Sequence, residues 1–375
     1  MIVIADDITG AAEIAGIAFA CGEAVRLVCG CVAATYRTAT QSTNETTVIA
    51  TDTRSMSETE AVAEIRHIAS SIIASSIIAS SIIHHPSSIF KKTDSALRGH
   101  VVAELLTLMQ ATGYERAVYL PANPSKGRII RNGIYYINNV PIHETDFSFD
   151  PEFPARTSVL KERFPDVESK GIIMPDAESE EDIHNVISTY NDGKTIFAGA
   201  ADLFNGMIGM KCGRIKKSIT HHTSAISHQT STLILCGSTQ SKALDLGIPV
   251  APMPQEIYDG SDDIGLWDVS AYSKQHSLIL TIPYTHRTGK EVAVHLRTVM
   301  AEMTKRLVAQ HCPEHLMIEG GATAWVTLQA LGWADFTITA QLAPGVVQMS
   351  AANGTLVTLK PGSYPWGTIL SSYKA

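Results

Sequence analysis

The sequence lacks the patterns that would place it in a membrane or mark it for secretion. No apolar run reaches about 18 residues without a polar break, so we expect no transmembrane helix. The first residues, MIVIADD, carry acids where a secretory leader carries a basic segment before its apolar stretch. We therefore expect a cytoplasmic protein with no membrane partner.

Several common binding signatures are also missing. The net charge of −8 argues against a broad basic face, so we expect no nucleic-acid partner. There is no GxxxxGK[ST] and no GxGxxG after a strand, which excludes a P-loop NTPase and disfavours a dinucleotide site. Cys29-Gly30-Cys31 has no second close Cys/His pair that would complete a zinc site. Inert, reduced thiols also fit a cytoplasmic protein.

What is present is an alternation of strand-like and helix-like segments. Short apolar runs predict strands at 1–5, 47–51, 117–120, 171–174, 233–236 and 315–318. Helical periodicity predicts helices at 8–20, 57–68 and 324–331. This order predicts an α/β protein with mainly parallel sheets.

Two stretches of biased composition interrupt this pattern. Residues 218–232 are rich in Ser, Thr and His without an apolar period, and they predict a linker between a domain at 1–217 and a second at 233–375. A histidine metal site is the alternative, although no carboxylate or cysteine joins these histidines. The pentapeptide ASSII occurs three times over 69–83. We interpret it as a slippage expansion that lengthens a helix or its exit, with a partner contact as the alternative.

Two acids, Asp6 and Asp7, follow the first predicted strand and precede a glycine-containing turn. In open α/β sheets, ligands bind at the carboxyl ends of the strands. Acids at this position can accept a proton from a substrate hydroxyl or hold Mg²⁺. Alternatively, one of them caps the following helix, which leaves the other unexplained.

Basic residues follow the next strands. Arg54 comes shortly after the strand at 47–51, and its planar guanidinium suits a carboxylate, although an exposed loop arginine would read the same. The segment 91–98 combines Lys91, Lys92 and Arg98 with Asp94, a second candidate base. Such cations can neutralise a substrate carboxylate and the charge that develops in phosphoryl transfer. The alternative is a solvated helix start capped by Asp94 or its neighbour.

Glycine and proline turns mark the rest of the chain. A loop after the strand at 117–120 contains Lys126 and Arg128, which could line an anion site, although turn chemistry alone explains its prolines. In the second half, glycines follow two predicted strands at Gly237 and at Gly320-Gly321. Such turns let backbone amides approach a phosphate at a helix N-terminus. They suggest a phosphate-bearing ligand.

Taken in order, these motifs resemble one family. ADD-x-TGA, KK-x-DS-x-LRG, PA-x-P-x-x-GR, GS, GGATA, PGV and KPGS match the pattern of the four-carbon acid sugar kinase family from Ile4 to about Gly367. The resemblance implies ATP-dependent phosphorylation of erythronate, threonate or 3-oxo-tetronate, with Mg²⁺ as the accompanying ion. It also implies an N-terminal sugar-acid-binding domain and a C-terminal nucleotide-binding domain.

The resemblance also implies roles for individual residues. Asp7 and Asp94 are the expected catalytic residues, and the choice of base is left open among Asp6, Asp7 and Asp94. The expected substrate-binding residues are Asp6, Arg54, Lys91, Lys92, Thr93, Asp94, Ser95 and Arg98. The expected ATP-binding residues are Ser238, Gly320, Gly321, Ala322, Thr323 and Gly362. Metal ligands are left unassigned, and a homodimer is the candidate oligomer. The alternatives are a non-catalytic sugar-acid sensor and a kinase for another small hydroxy acid.

Overall fold

The computed structural model describes residues 1–30, 45–79, 88–212, 231–237, 244, 246–272, 277–283, 289–362, 364, 366 and 369–370. The chain forms two compact units, Met1–Lys217 (unit 1) and Ser218–Ala375 (unit 2). The predicted linker at 218–232 lies outside the described residues, except for its last two positions, and Thr232 already opens a strand.

Unit 1 is built around a parallel sheet. The strands of unit 1 are β1 Ile2–Ala5, β2 Ala24–Cys29, β3 Glu45–Ala50, β4 Ile89–Lys92, β5 Arg116–Leu120, β6 Arg128–Arg131, β7 Ile134–Ile137, β8 Val140–Pro141, β9 Ile172–Ile173 and β10 Thr195–Gly199. The strand order of the main sheet is β2-β3-β1-β4-β10-β5-β9, and each neighbouring pair is parallel. The prediction of an α/β fold with mainly parallel sheets is confirmed.

Helices connect these strands, as parallel pairing requires. They are α1 Ile8–Ala20, α2 Glu58–Ala79, α3 Val101–Thr112, α4 Leu160–Arg163, α5 Glu180–Tyr190 and α6 Ala201–Lys211. The first has the bounds that its sequence predicts. Its alanine-rich sequence favours a helix, and eight of its 13 residues are buried.

The ASSII repeat extends α2 beyond the predicted helix end at 68. The first two copies, 69–73 and 74–78, lie within the helix, whereas the third passes beyond the described residues after Ala79. Ala69 and Ile72 of the first copy are buried, while Ser70 is exposed and donates its hydroxyl hydrogen to the Arg66 carbonyl oxygen. The first copy therefore contributes to the core of unit 1.

A small antiparallel sheet, β6-β7-β8, begins at Arg128, where the loop predicted after the strand at 117–120 ends. Its first two strands are joined by Asn132 and Gly133, both with positive φ (50° and 71°). An Asn-Gly pair between apolar residues is the strongest short signal for a two-residue hairpin turn. The Asn-Gly pair is visible in the sequence, so this hairpin could have been predicted from it.

Unit 2 also consists of strands and helices. Its strands are β11 Thr232–Cys236, β12 Val250–Pro252, β13 Ser277–Thr281, β14 His315–Glu319, β15 Asp335–Ala343, β16 Val346–Ala351 and β17 Leu356–Lys360. Its helices are α7 Gln255–Tyr258, α8 Lys290–His311 and α9 Gly321–Leu331. The pairs in β12-β13-β11-β14-β17 are parallel, and β16 and β15 continue the order with antiparallel pairs.

The sheet order brings particular strand ends together. In unit 1, β3, β1 and β4 are neighbours, with Ala5 opposite both Ala50 and Lys92. From β1 the chain continues to β2 on one side of β1 in the sheet, whereas β4 lies on the other side of β1. In open α/β sheets, ligands bind where the strand order diverges in this way. In unit 2, β11, β14 and β17 end side by side. Among the described residues, no helix is both long and apolar enough to cross a membrane.

Candidate functional site

The two acids after β1 have different environments. Asp7 is the N-cap of α1: its Oδ1 accepts a hydrogen bond from the Gly10 amide at 2.8 Å, and its Oδ2 accepts one from the Thr9 hydroxyl at 2.6 Å. Asp6 is only 2% exposed, and its Oδ2 accepts a hydrogen bond from the Asp94 amide at 3.2 Å. The capping role considered from the sequence thus falls to Asp7, and Asp6 links the end of β1 to the loop after β4.

Arg54 brings three carboxylates together. It lies on the 3-10 helix Thr53–Ser55, directly after β3. Its Nη2 donates to Asp7 Oδ2, and its Nη1 lies 3.3 Å from Asp94 Oδ1 and 4.0 Å from Asp6 Oδ2. A single guanidinium therefore neutralises acids that follow two neighbouring strands.

The adjacent lysines of β4 point in different directions, because side chains alternate along a strand. The Lys91 ammonium lies 2.7 Å from Glu104 Oε2 of α3, and both side chains are 1% exposed. The Lys92 ammonium lies near α1, 3.9 Å from Glu13 Oε2. A Cβ added at Gly10 would lie 3.2 Å from the Lys92 nitrogen, so the glycine permits this approach.

Asp94 is held by a dense set of donors. Arg98 binds it with two nitrogens: Nε lies 3.0 Å from Oδ2 and Nη2 lies 2.8 Å from Oδ1. The Ala96 amide adds a third hydrogen bond to Oδ2 at 2.8 Å. The remaining nitrogen of Arg98, Nη1, lies 3.6 Å from Asp150 Oδ2. The charges of both Asp94 and Arg98 are thus compensated within the protein.

A third arginine, Arg128 of β6, lies beside this network and forms no ion pair within the described residues. Its Nη1 donates to the Ser95 hydroxyl, and its guanidinium carbon lies 5.7 Å from the centre of the Phe147 ring. Arg98 lies 5.8 Å from the same ring. Within the described part of the chain, Arg128 has no acidic partner, in contrast to Arg54 and Arg98. Its charge is therefore available to an anionic ligand.

The three carboxyl groups differ in acidity. Burial raises the pKa of Asp6 to about 6, with the nearby Asp7 charge acting in the same direction and Arg54 opposing it. Burial acts on Asp94 too, but the hydrogen bonds and charge of Arg98 hold its pKa far below the usual range. In Asp7, Arg54 and Lys92 outweigh burial, and the pKa is lowered.

In unit 2, the glycine turns surround the start of α9. Gly320 is the N-cap of this helix and has a φ of 99°, which favours glycine. Gly237 follows the neighbouring strand β11, and a Cβ there would lie 2.2 Å from Thr323 Oγ1. Because the backbone at Gly237 lies this close to the start of α9, that helix N-terminus suits a phosphate group. Of the predicted ATP-binding residues, Gly320, Gly321, Ala322 and Thr323 share this helix start, whereas Ser238 lies outside the described residues.

A buried lysine holds the loop that contains Gly362. The Lys360 ammonium lies 2.7 Å from Glu319 Oε1 at the end of β14, and the Trp366 indole donates to Glu319 Oε2 at 3.2 Å. The same ammonium donates to the backbone oxygens of Pro361 at 2.9 Å and Gly362 at 3.4 Å. The ends of β14 and β17, and with them Gly320 and Gly362, are fixed relative to each other.

The structure gathers most of the predicted sugar-acid residues at one edge of unit 1. They are Asp6, Asp7, Arg54, Lys92, Thr93, Asp94, Ser95 and Arg98. Lys91 is enclosed beside Glu104, so we do not carry it into the proposed substrate contacts. Sequence reasoning missed Glu104 and Phe147. A glutamate within the apolar sequence VVAELL of α3 was the signal that could have found the first.

Within the described residues, no group of three or more His, Cys, Asp or Glu side chains could hold a metal ion. Mg²⁺ in phosphoryl-transfer sites is held by one or two carboxylates together with substrate phosphates, not by an all-protein cage. Mg²⁺ therefore stays a prediction tied to a bound nucleotide.

Comparison with known proteins gives two family matches. Residues 1–166 match a family model described as a sugar-binding N-terminal domain, and residues 271–364 match one described as a nucleotide-binding C-terminal domain. The D-threonate kinase of Salmonella typhimurium is 38% identical over 74 residues, which cover 20% of this chain and 18% of that protein. The 3-oxo-tetronate kinase of Brucella melitensis is 24% identical over 412 aligned positions, covering 96% of this chain and 92% of that protein.

The fold also has counterparts among solved structures. A Haemophilus influenzae protein superposes with a TM-score of 0.70 at 18% identity, covering 100% of this chain and 99% of its own. At this identity the likeness shows the fold alone. The match to the D-threonate kinase spans about a fifth of that enzyme's length.

Proposed function

Because the chain belongs to the four-carbon acid sugar kinase family, we propose that it transfers the terminal phosphate of ATP to a hydroxyl of a four-carbon sugar acid. The observation that carries this proposal is the cluster of buried acids and cations at the ends of β1, β3 and β4, beside the guanidinium of Arg128, which has no acidic partner within the described residues. Such a cluster suits a small ligand that carries both hydroxyls and a carboxylate.

We assign recognition of the substrate carboxylate to Arg128. Arg54 and Arg98 are already paired with Asp7 and Asp94, so their main role is to hold these acids in place. Arg128 has a hydroxyl and an aromatic ring as partners, which fix its position without neutralising its charge. A carboxylate can therefore bind it without displacing another acid.

The remaining side chains of the cluster would position the substrate. Lys92, at the end of β4 with its ammonium near α1, offers a cation for the phosphoryl group during transfer. In unit 2, the start of α9 and the loop around Gly362 are the proposed nucleotide-binding elements. ATP, with Mg²⁺, supplies the phosphoryl group when it is bound. Most of the rate acceleration would come from positioning and electrostatics.

An ADP-release assay with ATP, Mg²⁺ and a panel of erythronate, threonate and 3-oxo-tetronate isomers tests the proposal. We expect ADP release that depends on at least one of these acids, with a phosphorylated acid identified by phosphorus NMR. Release of ADP at the same rate without any acid would contradict the proposal. Binding of an acid with no turnover would instead identify a sensor.

The carboxylate assignment is tested separately with Arg128→Met. Loss of a charge-assisted pair of about 1.5–3 kcal/mol should raise the KM for the sugar acid by roughly 10- to 100-fold and leave the KM for ATP unchanged. Arg131→Met is the matched control on the same strand, because Arg131 pairs with the exposed Glu178. An Arg128→Met enzyme with the wild-type KM for the acid would refute the assignment.

A further inference from the structure

Two buried polar atoms at neighbouring strand ends have no hydrogen-bond partner within the described residues. They are Asp6 Oδ1 and Thr93 Oγ1. Asp6 is 2% exposed and Thr93 is fully buried. Because β1 and β4 are parallel with Ala5 opposite Lys92, continuing the register by one residue places Asp6 beside Thr93. Buried polar atoms in native proteins are normally paired, so two unpaired ones at adjacent positions indicate a place for a polar ligand group.

The other two acids of the cluster are engaged far more fully. Asp7 accepts from Thr9 and Gly10 and pairs with Arg54, so both of its oxygens have partners. Both oxygens of Asp94 are bound by Arg98. Asp6 uses one oxygen, Oδ2, which accepts from an amide at 3.2 Å and lies 4.0 Å from the Arg54 guanidinium. Its Oδ1 is the carboxylate oxygen of the cluster that can accept a new hydrogen bond without losing another.

We propose that Asp6 is the general base of the reaction and that the Thr93 hydroxyl helps to hold the acceptor hydroxyl against it; this assignment rests on the proposed function. The acceptor O–H donates to Asp6 Oδ1, and its proton passes to that oxygen. A lone pair of the acceptor oxygen forms the new P–O bond, while the bond from the γ-phosphorus to the bridging oxygen breaks and ADP leaves with its electron pair.

The acid–base properties of the cluster agree with this geometry. Asp6 faces Asp7 on its own segment, Arg54 after β3, and Lys91, Lys92 and Asp94 on β4 and the following loop. Burial raises its pKa to about 6, whereas the pKa values of Asp7 and Asp94 are lowered. A base whose pKa lies near the working pH is the more effective proton acceptor. Asp7 and Asp94, which the sequence suggested as catalytic, are better suited to holding the site together.

The test compares Asp6→Asn with wild type in the ADP-release assay. We expect kcat to fall by roughly 100- to 10,000-fold, the range typical of a lost general base, with the Kd for the sugar acid changed by a small factor. In wild type, kcat should rise with pH through about 6, because the base must be deprotonated. The residual activity of Asp6→Asn should lack this limb. The control is Asp52→Asn, which should behave as wild type. Asp52 follows β3, and its Oδ1 accepts a hydrogen bond from the Ser55 hydroxyl at the exposed surface.

A second pair of variants keeps the proposal testable if Asp6→Asn does not fold. Thr93→Ser retains the hydroxyl and should keep most of the activity, whereas Thr93→Val should lose about tenfold or more in kcat. A folded Asp6→Asn enzyme with kcat within tenfold of wild type, or equal activity of the two Thr93 variants, overturns the proposal. Wild-type inactivity on every sugar acid would instead reject the proposed function.

Discussion

Substituting Glu104 by Gln should destabilise unit 1 far more than the same change at Glu115. Both glutamates lie 2.7 Å from a lysine ammonium, but the Glu104–Lys91 pair is 1% exposed on each side, whereas the Glu115–Lys194 pair is 59% and 53% exposed. Removing one partner of a buried pair leaves the other charge uncompensated, which costs about 3–5 kcal/mol. Breaking an exposed pair costs at most about 1 kcal/mol. The two variants thus compare ion pairs that have equal lengths and differ in burial.

Urea-dependent hydrogen exchange of the α3 amides measures the free energy of unfolding of this region. Tryptophan fluorescence provides an independent signal from unit 2, because all four tryptophans (Trp267, Trp325, Trp333 and Trp366) lie there. The double variant Lys91→Met/Glu104→Leu removes both charges and should recover much of the lost stability. Equal losses in the Glu104 and Glu115 variants, or a double variant no more stable than Glu104→Gln, would refute the reasoning.

Two further predictions concern unit 2. Burial lowers the pKa of His315 to about 4, so stability should be lost as pH falls from 6.5 toward 4, by up to about 3 kcal/mol. In His315→Gln, urea titrations followed by tryptophan fluorescence should show a smaller loss over this range, and an unchanged loss would contradict the assignment. Gly237→Ala places a Cβ 2.2 Å from Thr323 Oγ1 and should weaken ATP binding in calorimetry. An unchanged affinity for ATP in Gly237→Ala would show that the close approach of Gly237 to Thr323 does not matter for nucleotide binding.

The parts of the fold that the sequence predicts are those governed by local pattern. A short apolar run followed by acids identified the end of β1, and an alanine-rich segment gave α1 its bounds at Ile8–Ala20. Parallel pairing then follows from the alternation of strands and helices. That Asp6, Arg54 and Asp94 share one ligand was implied by the family resemblance alone, and the structure places the strands before them, β1, β3 and β4, side by side.

Contacts between distant residues could not be predicted in the same way. The pair Lys91-Lys92 reads as one basic patch, yet strand alternation sends one ammonium to Glu104 and the other toward α1. Which acid neutralises Arg54 depends on sheet order, because its partners lie 47 and 40 residues away along the chain. Arg128 stands out only after these pairings are known, since a cation is available for a ligand when its neighbours leave it unpaired.

The pentapeptide repeat in α2 has a consequence for natural variation. A tract of identical units is prone to gain or lose copies, and each unit of five residues adds or removes about 7.5 Å of helix and rotates everything beyond it by about 140°. The buried contacts of Ala69 and Ile72 belong to the first copy, so a change in copy number after Ala74 leaves them in register. We therefore expect length variants of this protein among closely related strains, with the tract differing in multiples of five and the proposed sugar-acid-binding residues unaltered.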